Sequence, residues 1–133
     1  MTEATRGLLD TAVVIDHDVV DPKLLPDESA ISSVTLAELA AGPHATDNSD
    51  ERARRQDRLQ WATATWDPLP FDAEGARVYG RLFAAARAVG QTSRSRFADL
   101  LIASIAAANN LPIYTRNPND FQALKEIVKV IAI

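Results

Sequence analysis

Gly7-Leu8-Leu9-Asp10-Thr11-Ala12-Val13-Val14-Ile15 is the stretch on which the fold turns. Residues 7–11 read as a short buried strand that closes on an acid, and Val13, Val14 and Ile15 follow as a helical turn. Apolar residues at consecutive strand positions are expected when both faces of a sheet are covered, as in parallel sheets. The same alternation repeats downstream. Residues 18–29 are polar and carry Pro22 and Pro26, which limits them to a short helix between turns. Residues 30–33 form a second strand candidate, and residues 34–41 a helix stopped by Gly42-Pro43. The next helix starts within residues 47–50 and runs through an Arg-rich stretch to about Ala64. Residues 67–70 are a short extended piece, and residues 71–89 a long helix with Gly90 as its stop. Residues 95–109 form an apolar helix, with Asn109-Asn110 suited to its C-terminal cap. Residues 112–115 are a strand, 116–120 a loop, 121–124 a helical turn and 128–133 the last strand. Strands that alternate with helices argue a doubly wound α/β fold with a parallel sheet.

The length of 133 residues suits one domain spanning 1–133. With 47% apolar residues and no excess of Gly or Pro, the chain reads as globular, not disordered or fibrous. No apolar run is long enough to span a bilayer. Residues 1–7 lack the basic-then-apolar layout of a secretory signal. The absence of cysteine rules out a disulfide framework and a thiolate zinc site, and fits a reducing cytoplasm. A net charge of −4 argues against binding nucleic acid by bulk charge.

Three acids interrupt apolar surroundings. Asp10 closes the first strand, at the edge of an α/β sheet where ligands bind. Asp99 lies in Phe97-Ala98-Asp99-Leu100-Leu101-Ile102-Ala103. There Phe97, Leu101, Ile105 and Ala108 form an apolar stripe that Ile102 and Ala106 widen. A charge in such a helix is costly unless paired or metal-bound. Glu38 sits in Val34-Thr35-Leu36-Ala37-Glu38-Leu39-Ala40. Each acid also has a structural reading: a turn or cap for Asp10, a capping box Thr35-x-x-Glu38 for Glu38, and a helix start or a pair with Arg96 for Asp99. Carboxylates that converge repel and raise one another's pKa, a conflict that Mg²⁺ or Mn²⁺ removes. An ion so held suits phosphoryl chemistry and makes an acidic pocket attractive to a phosphodiester. His17 and His44 lie in polar stretches and read as surface residues.

Leu8-Leu9-Asp10-Thr11, Thr35-Leu36-Ala37-Glu38-Leu39, Ala98-Asp99-Leu100-Leu101-Ile102-Ala103 and Tyr114-Thr115-Arg116-Asn117-Pro118-Asn119-Asp120-Phe121 resemble, in order and spacing, the motifs of VapC-type PIN domains. The resemblance covers essentially the whole chain. It implies a three-layer α/β/α sandwich around a parallel sheet of about five strands. It implies an endoribonuclease dependent on Mg²⁺ or Mn²⁺ that cleaves transfer, ribosomal or messenger RNA. Asp10, Glu38 and Asp99 would be the metal-binding acids, Asn117 a polar ligand lining the site and Asp120 a supplementary acid. Thr11 and Thr115 would orient carboxylates or waters. The resemblance also implies a homodimer and a VapB-type antitoxin partner that blocks the site. Arg94 and Arg96, just before Asp99, are candidates for RNA contact, while Arg52, Arg54, Arg55 and Arg58 read as a solvated face. Trp61 and Trp66 are candidates for base stacking, core or partner contacts. A haloacid-dehalogenase phosphatase would need an acid where Ala12 stands, and a receiver domain a Lys where Arg116 stands. The remaining alternative is a PIN-like domain that binds RNA or protein without cutting.

Overall fold

The structure is a computed structural model that describes residues 3–133, so the first two residues of the 1–7 stretch lie outside it. Strand β1 (Arg6–Leu9) leads into helix α1 (Thr11–Ile15). Strand β2 (Glu28–Ala30) leads into α2 (Ser33–Ala41), and α3 (Ser49–Thr65) and α4 (Ala73–Ala88) follow. A 3-10 turn, Arg94–Arg96, runs into α5 (Phe97–Ala108). Strand β3 (Ile113–Thr115), a 3-10 turn at Pro118–Leu124 and strand β4 (Val130–Ala132) complete the chain.

Among the described residues the sheet has four strands in the order β2-β1-β3-β4, every pair parallel. Where about five strands are expected, the stretch around Leu69 contributes only a bridge to Ser32. Ser33 N–H donates to the Leu69 carbonyl at 2.8 Å, and Leu69 N–H donates to the Ile31 carbonyl at 2.9 Å. Pro68 and Pro70 flank this contact and lack the N–H groups a longer ladder needs.

The sheet separates two apolar layers because successive strand side chains point to opposite faces. Leu8 and Ile113 pack with Val78, Leu82 and Ala86 of α4 and Leu100, Ala103 and Ala106 of α5. Leu9 and Tyr114, next in register, pack with Val13, Val14, Leu39 and Ala62 of α1, α2 and α3. The result is an α/β/α sandwich. Gly7 is required where it stands, since the Tyr114 ring fills the place a Cβ would take. Gly90, at φ 72°, follows α4 in the left-handed conformation that lets a helix stop. No helix among the described residues is long and apolar enough to cross a membrane.

Several boundaries differ from expectation because a side chain caps a helix. Asp10 leaves β1 to cap α1, and Ser32 leaves the second strand to cap α2. Asn48 and Asp72 cap α3 and α4. The Thr35-x-x-Glu38 box, one of the two readings of Glu38, is therefore set aside: the cap is Ser32, whose hydroxyl accepts from Thr35 N–H at 3.0 Å. The stripe on α5 is corrected as well. Phe97 is 53% exposed, while Leu100, Ile102, Ala103, Ser104, Ile105 and Ala106 are buried.

Candidate active site

In the order β2-β1-β3-β4, the chain leaves β1 towards one edge of the sheet and β3 towards the other. The gap between their carboxyl ends is the switch point where α/β sheets bind ligands. Asp10 and Thr115 meet there. The Thr115 hydroxyl donates to Asp10 Oδ2 at 2.9 Å, and Thr11 N–H donates to Asp10 Oδ1 at 2.7 Å. Asp10 N–H continues the ladder to the Tyr114 carbonyl at 3.0 Å, so backbone and side chain are both fixed. Asp10 is thus a helix cap as well as a candidate site carboxylate. Burial, with Glu38 and Asp120 adding repulsion, holds its pKa above the usual carboxylate range against the opposing hydrogen bonds.

Glu38 comes from the second turn of α2, on the side that faces solvent, flanked by exposed Ala37 and Ala40. It therefore does not interrupt a packed face as its apolar neighbours suggest. Its Oε1 accepts from the Thr11 hydroxyl at 2.8 Å. Asp99 enters from the first turn of α5, half-buried. Burial, reinforced by Asp10 and Asp120, pushes its pKa to about 7, with Arg96 opposing and Glu38 adding to the rise. Asp120 comes from the turn after β3. It accepts from Arg96 Nη1 at 2.6 Å, so the ion pair of Arg96 is with Asp120 and not with Asp99.

Asp10, Glu38, Asp99 and Asp120 thus come from separate stretches of chain and act on one another electrostatically. Among the described residues, no three His, Cys, Asp or Glu side chains stand close enough together to hold a metal ion as they are. Donors of the protein hold Asp10, Glu38 and Asp120 individually. An oxygen-only donor set carrying uncompensated negative charge fits a hard divalent cation that keeps several of its waters. Asn117 is exposed; its backbone N–H donates to the Thr115 hydroxyl at 2.9 Å, which ties the loop after β3 to the residue that holds Asp10.

Arg94 is exposed and lines a groove with Tyr79, Phe83 and Phe97. In the Arg-rich helix, Arg54 and Arg55 bind Glu51, and Arg52 donates to the Pro43 and Thr46 carbonyls. His17, Trp61 and Trp66 stack edge-on with centroids 5.0 to 6.0 Å apart, which accounts for both tryptophans through one another. Two residues of the site escape the reading of the sequence: Ser32 and Thr35, fully buried hydroxyls behind Thr11. Ser32-Ser33 ahead of an apolar helix is the signal that would have found the first, as a cap.

A PIN domain family model matches residues 8–127. Ribonuclease VapC5 of Mycobacterium tuberculosis (strain ATCC 25618 / H37Rv) is 38% identical over 137 residues, covering 97% of this chain and 98% of that protein. Ribonuclease VapC of Rickettsia bellii (strain RML369-C) is 27% identical, covering 90% and 91%. A crystal structure of VapBC-5 from Mycobacterium tuberculosis, a member of the VapBC family of toxin-antitoxin systems, contains a chain that superposes with a TM-score of 0.85. The identity is 37%, over 97% of this chain and 99% of that one. The chain belongs to the PIN-domain family, and to its VapC type.

Proposed function

We propose that this chain is an endoribonuclease toxin that hydrolyses RNA phosphodiester bonds with Mg²⁺ or Mn²⁺ and is held inactive by a VapB-type antitoxin. One observation carries the proposal. Asp10, Glu38, Asp99 and Asp120 come from four stretches of chain to the carboxyl ends of β1 and β3, and burial with their mutual repulsion pushes Asp99 up to about 7, a conflict that a cation relieves. A bound divalent ion supplies charge for the phosphate oxygens and acidity for a water molecule.

The chain's own groups do the rest. Asp10, Glu38 and Asp99 would hold the ion, and Thr115 and Thr11 fix the first two in single orientations. One carboxylate accepts the proton of the attacking water as its oxygen bonds to phosphorus. The bond from phosphorus to O3′ breaks and O3′ takes a proton from solvent water, which leaves a 5′-phosphate and a 3′-hydroxyl, while the carboxylate returns its proton to solvent. Asp120 supplements the acids, and Arg96 orients it through their 2.6 Å pair. Arg94, exposed two residues earlier, is the cation that meets the RNA backbone. Asn117 lines the site and binds through water.

The antitoxin belongs on the side of Ile15, Trp61 and Arg58. Two adjoining clefts share Ile15 and Arg58, and one of them, of about 330 Å³, reaches Glu38. A peptide seated there covers Glu38. A second copy of the chain takes the outer part of the aromatic patch, Phe71 and the Tyr79 face beside it, and leaves Arg94 open to RNA.

Purified protein with 5′-labelled RNA tests the assignment. Cleavage with Mg²⁺ that stops with EDTA and returns with excess Mg²⁺ is the expected result. RNA that is bound but never cut, with or without the ion, would make the chain a binding module instead.

A further inference from the structure

Ser32, Thr35 and Thr11 stand in a row of hydroxyls between the N-terminus of α2 and Glu38. Ser32 and Thr35 are fully buried and Thr11 is 9% exposed. Each hydroxyl carries a single proton, so the direction of every bond can be counted out. Glu38 Oε1 only accepts, so the Thr11 proton goes to Glu38, at 2.8 Å. Thr35 must then donate to Thr11, at 2.8 Å. Ser32 must donate to Thr35, at 3.3 Å. The Ser32 oxygen accepts from Thr35 N–H at 3.0 Å, which starts the row on the positive end of a helix nine residues long. No buried side-chain polar atom among the described residues is left without a partner. A row with one direction polarises each member towards its acceptor.

We propose that Ser32 and Thr35 are positioning residues: their hydroxyls lock Thr11 as a donor to Glu38 Oε1 and so hold the Glu38 carboxylate in one orientation for the cation. This rests on the proposed function, since it concerns how one of the metal-binding acids is held. Glu38 needs such help more than Asp10 does. It lies on the solvent side of α2 with a flexible side chain, while Asp10 is buried and anchored by two donors. Thr11 serves both, giving its backbone N–H to Asp10 and its hydroxyl to Glu38. The 2.8 Å from Thr35 to Thr11 is a distance only hydrogen-bonded oxygens sustain; a methyl in that place pushes Thr11 back.

A double-mutant cycle on Mn²⁺ affinity, measured calorimetrically on the full chain, tests the proposal. Thr35→Val is expected to weaken Mn²⁺ binding roughly tenfold, the lower end of what loss of a partner behind a ligand costs. Thr35→Ser restores it. In a Thr11→Val background the further effect of Thr35→Val falls below about twofold, because the residue acts only through Thr11. A merely structural Thr35 would instead add its full loss in both backgrounds, and that result, or an unchanged affinity in Thr35→Val alone, would overturn the proposal. If Thr35→Val does not fold, Thr35→Ala is carried through the same cycle with the same two outcomes. Wild-type protein that takes up no Mn²⁺ would overturn the metal site and this proposal together, whereas normal wild-type uptake with an indifferent Thr35 would overturn this proposal alone.

Discussion

Asp99→Asn is expected to lose RNA cleavage by roughly 10²–10³-fold, the scale of losing one group that stabilises transition-state charge. It is also expected to fold. Asn keeps the shape of the side chain and removes a charge that burial, Asp10 and Asp120 all disfavour. The sign follows from linkage. The Asp99 carboxyl is at about 7 in the folded protein against a usual 3.8. Below the unfolded value both states hold the proton and nothing is gained or lost. As pH rises towards 7, the unfolded chain has released a proton that the fold still retains, so stability falls. Cation-free wild type therefore loses melting temperature between about pH 4 and 7. Asp99→Asn loses less, and at pH 8 it melts higher than wild type. Cleavage at the wild-type rate by a folded Asp99→Asn protein would remove Asp99 from the site. An equal melting slope in the two proteins would remove the electrostatic reason for placing it there.

The second large effect is on cation binding itself. A divalent ion that reaches Asp99 must displace the proton held there below pH 7. One proton displaced per ion weakens the apparent affinity by roughly tenfold for each pH unit below that value. Calorimetric titration of Mn²⁺ at pH 6 in buffers of different ionisation enthalpy is expected to show release approaching one proton per ion, and much less at pH 8. Asp10 is raised in the same sense and steepens the dependence at lower pH. An affinity that is flat from pH 5 to 8 would mean that Asp99 is not a ligand.

The alternation of strand and helix is legible in the sequence because Leu8-Leu9, Ile113-Tyr114 and Val130-Ile131 are apolar on both sides, as strands covered on two faces must be. The acids are legible because Asp10 and Asp99 stand in apolar runs that leave a charge no ordinary partner. Three features are not legible, each for its own reason. The stripe on α5 is ambiguous because the helix is apolar almost all round, so periodicity cannot say that Phe97 faces outward. The partner of Arg96 is a long-range matter: Asp120 lies 24 residues away, and Asp99 three residues on is the nearer guess. The row from Ser32 to Glu38 joins residues of α1 and α2 that only the packing of the sheet brings together. The missing fifth strand is the opposite case, since Pro68 and Pro70 already forbid more than a bridge at Leu69.

Soaking crystals of the protein with Mn²⁺ and mapping its anomalous scattering locates the ion without recourse to activity. A peak within coordination distance of Asp10 and Asp99, with Glu38 turned towards it, is what convergence of these acids predicts. Ordered Mn²⁺ bound only elsewhere on the molecule, with the space between Asp10 and Asp99 filled by water, would contradict it.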